Sequence, residues 1–288
     1  MSVRFSIITI CYNAAKVLPV TIESVLAQDF CDFEYVIQDG DSTDETPDIV
    51  ESYKDRFEAK GISFIYNREK DGGIYDAMNR GSATATGDYV NFMNAGDCFY
   101  AADVLSKVAS AIEENGKSAK EANPVIVYGD CAVYEYGSFF RFAKDLSNIE
   151  ENMPFSHQTV FAAKDFVKVH PFDTKYRYSA DYDFLLCAHD EGAEFLDSGC
   201  IVAITTADGL SSVRYRDTMM ESVRILKAHG VFRHSEEDLA RRAKSLKLKQ
   251  FVLDHFPVSV KKAIRKCQIK KRGQNINVII PKWFENML

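Results

Sequence analysis

The chain has 288 residues, 46% of them hydrophobic, which is enough for one large domain with its own core and an extension. It contains no run of about 18 apolar residues and begins without the features of a secretory signal, so we expect a cytoplasmic protein that does not span a membrane. The formal net charge of −7 argues against nucleic acid as the main partner.

Short apolar runs alternate with helical patterns over the first 115 residues. Runs rich in β-branched and aromatic side chains predict four strands, at residues 5–12, 33–37, 62–66 and 89–93. Apolar side chains at helical spacing predict helices around residues 18–26, 49–57, 73–85 and 104–112. This alternation predicts a mostly parallel sheet flanked by helices, with ligands bound at the carboxyl ends of its strands.

The pattern changes in the second half of the chain. Residues 125–128 and 132–136 predict two strands joined in a hairpin around Gly129 and Asp130. A mixed region follows to residue 206, and beyond Asp217 the chain has the spacing of helices. We therefore predict a domain over residues 1–215 and a helical extension over residues 216–288.

The predicted extension is strongly basic. Between residues 240 and 272 there are twelve lysine and arginine residues against one acidic residue, Asp254. From Lys261 onward the basic residues alternate with apolar ones such as Ile264 and Ile269. Such a segment can attach to an anionic membrane surface. A solvated helix, or a contact between copies in a homo-oligomer, is the alternative.

The cysteines give no sign of a metal site or of disulfide bonds. The seven cysteines lie at positions 11, 31, 98, 131, 187, 200 and 267. No pair has the CxxC spacing of a zinc site. We expect them to be small buried hydrophobic residues in a reducing cytosol.

Four polar clusters follow the predicted strands. They occupy residues 9–13, 39–44, 69–81 and 94–97. Each alone is typical of a turn or a helix cap, because Asp, Asn, Ser and Gly favour both. Their order and spacing, taken together, are far more specific.

In this order the clusters resemble the opening half of family-2 glycosyltransferases, especially those of bacterial polysaccharide and lipopolysaccharide pathways. The similarity is close over residues 3–100 and looser over residues 125–215. It implies a GT-A fold, with a mixed, mostly parallel sheet flanked by helices. It also implies an inverting transfer of sugar from a nucleotide-diphosphate donor, by preference a UDP-sugar, to a glycan or lipid-linked acceptor. Residues 1–100 would be the donor half of the catalytic domain and residues 125–215 the acceptor half.

The resemblance implies donor contacts in the first two clusters. Thr9, Tyr12 and Asn13 would line the base and the ribose, and Asp39 would hydrogen-bond the base. A carboxylate suits this role, because it accepts the ring N–H of uracil or the paired donors of guanine. A turn residue is the alternative for Asp39.

The third cluster supplies further candidates for the nucleotide-sugar site. Asp71 precedes two glycines, where the backbone permits a close approach to the donor. Asp76 and Asn79 are three residues apart and share one face of the predicted helix. We predict donor contacts for Asp71 and Asn79, whereas Asp76 has the alternative of capping the helix or pairing with Arg80.

Asp97 holds the last position of the family's metal-binding acidic motif. When a sugar leaves a nucleotide diphosphate, negative charge develops on the leaving group, and Mg²⁺ or Mn²⁺ neutralises it. The chain departs from the family pattern, with Asn94 and Gly96 where many relatives carry acids. Asp97 is therefore the metal candidate.

An inverting transfer also needs a carboxylate that deprotonates the acceptor hydroxyl. Asp181, at the start of a predicted helix, aligns with the family's base, and Asp183 is the runner-up. Helix capping is the alternative for both. His157 lies in a segment that the family places near the acceptor, with a purely structural histidine as its alternative.

A loop at residues 208–212 resembles the family's loop that closes the donor site. Arg214 or Arg216 beside it would meet the diphosphate, and a surface turn is the alternative.

Two other functions share some of these features. A sugar-phosphate nucleotidyltransferase needs a glycine-rich basic loop after the first strand, and residues 12–16 lack the glycines. A non-catalytic nucleotide-sugar-binding protein would fit the thinned acidic motif, but Asp97 and Asp181 are both retained.

Overall fold

The computed structural model describes residues 3–121, 123–135, 138–142, 146–206 and 215–271. The strands in these ranges are β1 Phe5–Cys11, β2 Phe33–Asp39, β3 Ser63–Arg68, β4 Tyr89–Phe92, β5 Cys98–Phe99, β6 Val125–Glu135, β7 Ser138–Phe142, β8 Phe161–Ala163 and β9 Glu194–Thr206. The α-helices are α1 Leu18–Leu26, α2 Thr46–Glu58, α3 Ile74–Thr84, α4 Val104–Glu114, α5 Lys164–Val169, α6 Ala180–Asp190, α7 Tyr215–Ala228, α8 Glu236–His255 and α9 Val258–Lys271. None of these helices is both long enough and apolar enough to cross a membrane.

The strands form one sheet in the order β3-β2-β1-β4-β8-β6-β9-β5, with β7 beside β6. Strands β1 to β4 are parallel, as predicted, and every residue of β1, β2 and β4 is buried. Their apolar side chains therefore pack against helices on both faces. Beyond β4 the sheet is mixed, because β8 runs antiparallel to both β4 and β6.

Helix α2 begins at Thr46, slightly before the apolar spacing that predicts it. Pro47 lies in its first turn, where the fixed φ of proline suits a helix. Ser42, in the preceding loop, donates its hydroxyl to Asp39. That contact already belongs to the edge of the sheet where the polar clusters meet.

The predicted hairpin around Gly129 and Asp130 is wrong. Both residues lie inside the continuous strand β6, and the register between β6 and β9 shifts at this point. A Cβ atom on Gly129 would lie 2.7 Å from the carbonyl oxygen of Cys200 and from Oγ of Ser198. The glycine therefore marks an irregularity with close backbone contact. Besides turns, such irregularities are a common reason for a glycine within a strand. The hairpin forms later, between β6 and β7.

Helix α7 packs on the body of the molecule, although it follows the predicted boundary at residue 215. Its Ile225 and Leu226 are part of the main hydrophobic core, and its Val223 is buried. Its buried Glu221 accepts hydrogen bonds from the backbone N–H groups of Arg177 and Tyr178, at 2.9 and 2.7 Å. The division into two domains stays a prediction.

The cysteines are less uniform than expected. Three are buried, at positions 11, 98 and 131, and two are partly buried, at positions 187 and 200. Cys31 and Cys267 are exposed, so the expectation of buried side chains is wrong for these two.

Candidate active site

The parallel strands bring the polar clusters to one edge of the sheet. Cys11, at the end of β1, lies opposite Asp39 at the end of β2, which lies opposite Arg68 at the end of β3. The loops that leave these ends carry the first three clusters, and the segment after β4 carries the fourth. This is the edge at which open α/β sheets bind ligands.

Hydrogen bonds join the first two clusters into one unit. The fully buried carboxylate of Asp39 accepts the N–H and hydroxyl of Ser42 on one oxygen and the hydroxyl of Tyr66, at 2.7 Å, on the other. Asn13 has a left-handed backbone with φ of 48°. It donates its N–H to Ser42 Oγ and accepts the N–H of Thr43, both at 2.8 Å. The loop is therefore held in one shape before any ligand arrives.

The side chains of Tyr12 and Asp71 both lie close to Gly40, whose backbone carries no side chain. The Tyr12 side chain is 63% exposed. A Cβ atom on Gly40 would lie 2.6 Å from Oδ2 of Asp71 and 3.4 Å from the ring of Tyr12. The glycine thus leaves room for an aromatic face and a carboxylate to lie close together beside Asp39.

Thr9 and Asn79, two of the residues predicted to contact the donor, make hydrogen bonds within the protein. The hydroxyl of Thr9 is fully buried, 2.8 Å from that of Tyr35, and donates to the carbonyl of Met93 at 2.7 Å. The amide of Asn79 donates to the carbonyl of Phe172 and accepts its N–H, both at 2.8 Å. These polar groups are bonded to other groups of the protein, and donor contact by either residue stays a prediction.

Asp76 adopts both of its structural alternatives. Its Oδ2 accepts the N–H of Gly72 at 2.8 Å and the Nε–H of Arg80 at 3.0 Å. The hydrogen bond from Gly72 is the main reason that the pKa of Asp76 lies below its usual range. Asp71 beside it accepts the N–H of Gly73.

Asp97 is partly buried, and its carboxylate has little compensating charge nearby. Burial raises its pKa to about 6, although the hydrogen bond from Gln158, at 2.7 Å, and the nearby His157 act in the opposite direction. Within the described ranges, Oδ1 of Asn94 is buried without a hydrogen-bond partner. A desolvated carboxylate and an unpartnered amide oxygen fit a hard divalent cation, which prefers oxygen ligands.

His157 connects this metal candidate to the predicted base. Its Nε2 lies 2.9 Å from the amide nitrogen of Asn94, and its Nδ1 lies 3.2 Å from Oδ2 of Asp181. The neutral ring satisfies both contacts when Nε2 accepts and Nδ1–H donates. The other oxygen of Asp181 accepts the hydroxyl of Tyr75 at 3.0 Å. Burial, followed by the Asp181 charge, raises the pKa of Tyr75 well above its ordinary value, so the hydroxyl stays protonated as a donor.

One short turn therefore touches both halves of the site. His157 and Gln158 are consecutive residues of a 3₁₀ turn, and they bind Asp181 and Asp97 respectively. Sequence reasoning assigned no role to Tyr75 or Gln158. Gln158 follows His157 in the sequence and Tyr75 lies within the third cluster, but these positions do not predict which residues the two side chains contact.

Asp183 does not lie beside Asp181, and its acceptor-side role stays a prediction. Two residues along a helix correspond to a rotation of about 200°, so Asp183 points away from Asp181. Its Oδ1 lies 3.2 Å from Nε2 of His229, at the junction of α6 and α7. Of the remaining candidates, residues 208–212 and Arg214 lie outside the described residues, and Arg216 is exposed on α7.

An apolar pocket opens beside His157 and Asp181. Three aromatic rings, those of Phe92, Phe172 and Phe184, form much of its wall. The side chains of His157 and Asp181 therefore lie between the polar edge of the sheet and an apolar surface. Partial exclusion of water there strengthens their hydrogen bonds.

Comparison with known proteins places this site in a family. The model described as Glycosyl transferase family 2 matches residues 6–171. The PGL/p-HBAD biosynthesis glycosyltransferase of Mycobacterium bovis (strain BCG / Pasteur 1173P2) is 38% identical over 181 residues, which cover 62% of this chain and 67% of that protein. The amylovoran biosynthesis glycosyltransferase AmsB of Erwinia amylovora is 26% identical over 209 residues, which cover 67% of this chain and 66% of that protein.

Solved structures show the same fold. TarS 1-349 of S. aureus, in complex with UDP-GlcNAc, has a TM-score of 0.64 at 18% identity, and the match covers 99% of this chain and 84% of that one. The mannosyltransferase PcManGT of Pyrobaculum calidifontis, in complex with GDP-Man and Mn²⁺, has a TM-score of 0.61 at 17% identity and covers 93% and 81%. These matches confirm the predicted GT-A fold. The family match favours a glycosyltransferase over the nucleotidyltransferase alternative, and the chain belongs to glycosyltransferase family 2.

Proposed function

We propose that the chain transfers a sugar, with inversion, from a nucleotide-diphosphate sugar to a hydroxyl of a glycan or lipid-linked acceptor in cell-surface polysaccharide synthesis. The observation that carries this proposal is the turn at His157 and Gln158, which holds Asp181 and Asp97 through adjacent side chains. An acceptor-side carboxylate and a metal-side carboxylate are the two groups that this reaction requires.

The donor would lie on the unit formed by the first two clusters. Asp39 would bind the base, and the exposed ring of Tyr12 offers a face for stacking against it. Asn13 shapes the loop, and Asp71 faces the same bare backbone. We favour a UDP-sugar, since an S. aureus TarS structure contains UDP-GlcNAc, although the PcManGT structure contains GDP-Man.

Asp97 and the amide oxygen of Asn94 would hold the divalent cation, Mg²⁺ or Mn²⁺. When bound, the cation neutralises negative charge on the nucleoside diphosphate as it leaves. Gln158 orients the carboxylate of Asp97 through its amide N–H.

Asp181 would act as the general base. As the acceptor oxygen forms its bond to the anomeric carbon, the bond from that carbon to the diphosphate breaks and the hydroxyl proton passes to Asp181. His157 and Tyr75 donate hydrogen bonds to the two oxygens of Asp181 and so fix its orientation. Such positioning is what a single displacement needs.

The glycan acceptor is supported by the relatives, whose names refer to PGL/p-HBAD and amylovoran biosynthesis. A lipid-linked acceptor fits the C-terminal helices, which combine basic residues with exposed apolar ones. Phe251 is 52% exposed, and Phe256 and Ile264 are about 40% exposed. We propose that this surface binds the anionic inner face of the cell membrane, with the enzyme in the cytoplasm.

A donor screen by thermal shift tests the function. With Mn²⁺, we expect one of a set of UDP- and GDP-sugars to raise the melting temperature. Asp181→Asn should keep this shift and lose transfer by at least about 100-fold, in the range of general-base removal. Asp97→Asn should lose the Mn²⁺-dependent part of the shift.

The matched control is Asp165→Asn. Asp165 is an exposed carboxylate in the first turn of α5, just as Asp181 lies in the first turn of α6. It should bind donor and transfer sugar like the wild type. The proposal would be contradicted if none of the donors raised the melting temperature. If a donor stabilised the wild type but no sugar was transferred, the chain would be a non-catalytic binding protein.

A further inference from the structure

A second group of metal-binding side chains lies behind the active site. Asp183 and Cys187 are one helical turn apart on the same face of α6. His229 directly follows α7 and reaches the same point. One carboxylate oxygen, the thiol sulfur and a ring nitrogen of these residues all lie within 4.8 Å of one another.

The orientation of His229 is set by a fourth residue. Its Nδ1 lies 2.6 Å from Oδ2 of Asp190, a distance that requires a proton between them. In the neutral ring this leaves the lone pair of Nε2 directed at Oδ1 of Asp183, 3.2 Å away. Two acceptors so close repel each other unless a proton or a cation lies between them. A carboxylate bound to the remote ring nitrogen is also the usual support of a metal-binding histidine.

We propose that Asp183 Oδ1, Cys187 Sγ and His229 Nε2 bind a zinc ion that is separate from the catalytic cation. Zinc accepts nitrogen, sulfur and oxygen ligands together, whereas a thiolate is a poor ligand for Mg²⁺. Tetrahedral zinc holds its ligand atoms roughly 3.3–3.6 Å apart. The oxygen–nitrogen pair is already close to that spacing, and the sulfur lies within 4.8 Å of both atoms, so zinc binding would draw it closer.

The charges of this site balance. Binding releases the thiol proton of Cys187 to water, so that a thiolate, a carboxylate and a neutral imidazole surround one Zn²⁺. Three protein ligands leave a fourth position for a water molecule. The side chains of Asp183 and His229 are only 17% and 12% exposed, so the ion would be shielded from competing ligands in solution.

Zinc at this point would cross-link α6 and α7. Helix α6 carries Asp181 in its first turn. Helix α7 carries Glu221, which holds the backbone of Arg177 and Tyr178 just before α6. The ion would therefore fix the acceptor half of the site from the side away from the donor. The rival explanation is a doubly protonated His229 that bridges Asp183 and Asp190 without a metal.

The zinc site and the metal-free bridge through His229 can be distinguished by measuring metal binding to the whole chain without nucleotide. After removal of metals with a chelator, we expect one equivalent of Zn²⁺ per chain. Co²⁺ in its place should give the near-ultraviolet absorption of a thiolate–cobalt bond. Cys187→Ser should lose this band, whereas Cys31→Ser, which changes an exposed cysteine elsewhere, should keep it.

Two further variants separate this site from others. Asp97→Asn should bind zinc like the wild type, because the catalytic cation uses different residues. Asp190→Asn should weaken zinc binding by about 10–100-fold, the usual effect of removing the support of a ligating histidine. Failure of the wild type to bind one equivalent, or a cobalt band that persists in Cys187→Ser, would overturn the proposal.

Discussion

At the scale of single residues, Asp97, the proposed cation ligand, has an environment that opposes stability. Its carboxylate is desolvated, and the hydrogen bond from Gln158 compensates only part of the cost. A group of this kind destabilises the metal-free fold in its charged form and becomes favourable when a cation arrives.

We therefore expect Asp97→Asn to raise the melting temperature of the metal-free protein at pH 7.5, because the amide removes a buried charge. The sign depends on pH. The pKa of Asp97 lies at about 6 when folded and near 3.8 when unfolded, so the folded chain binds the extra proton between these values. The stability of the wild type relative to the variant should increase as the pH falls from 6 to 4.

Melting temperatures of both proteins, measured from pH 4 to pH 8 in the presence of a chelator, check this prediction. The difference should be largest above pH 6 and close to zero near pH 4. A difference that does not change with pH would show that Asp97 is not desolvated.

At the scale of secondary-structure elements, Asn79 fastens α3 to the segment that precedes α6. Its amide makes two hydrogen bonds of 2.8 Å with the backbone of Phe172, 93 residues away along the chain. The same helix carries Tyr75, which reaches Asp181. Helix α3 thus joins the first 100 residues to the segment around α6.

We expect Asn79→Ala to lower the free energy of unfolding by about 2 kcal/mol, because it leaves an N–H and a carbonyl of Phe172 without their partner. The donor KM should change less than twofold, since both polar atoms of the amide are already bonded to Phe172. Urea unfolding and initial-rate kinetics measure the two effects. Ser82→Ala, on the same helix but bonded only to the carbonyl of Asn79, is the control and should be near neutral. A large rise in donor KM without a loss of stability would instead support the predicted contact between Asn79 and the nucleotide.

At the scale of the whole molecule, charge is distributed unevenly. The chain as a whole is acidic, yet α8 and α9 carry most of the basic C-terminal segment. Their exposed apolar residues, among them Phe251 and Val260, lie between these basic ones. Basic and apolar side chains on one segment can together bind an anionic membrane surface.

We expect the full chain to float with vesicles that contain phosphatidylserine and not with neutral vesicles. Removal of residues 255–288 should abolish flotation, because it removes most of the basic cluster along with Phe256 and Ile264. Ile264→Ser should weaken flotation without any change of charge. Equal flotation of the full and shortened chains would exclude the membrane role and favour a solvated helix or a contact between copies.

The sequence by itself predicted the donor half of the fold closely. Strands β1 to β4 and helices α1 to α4 follow from apolar periodicity, because each is buried on faces that local spacing reveals. Gly129 was misread, since a glycine signals either a turn or a close contact and only the neighbouring strand β9 decides which. The polar clusters likewise predicted that their side chains would meet, because parallel strands end at one edge.

The tertiary structure alone decided which side chains act together. The sequence could not separate Thr9 and Asn79, whose polar groups are used internally, from Asp71, whose carboxylate lies at the open edge. The contact of Tyr75 with Asp181 spans 106 residues, and that of Asp183 with His229 spans 46. Local spacing carries no information over such separations, because helix packing determines which faces meet. For the same reason the sequence did not predict the proposed zinc site, whose three side chains are brought together by the packing of α6 against α7.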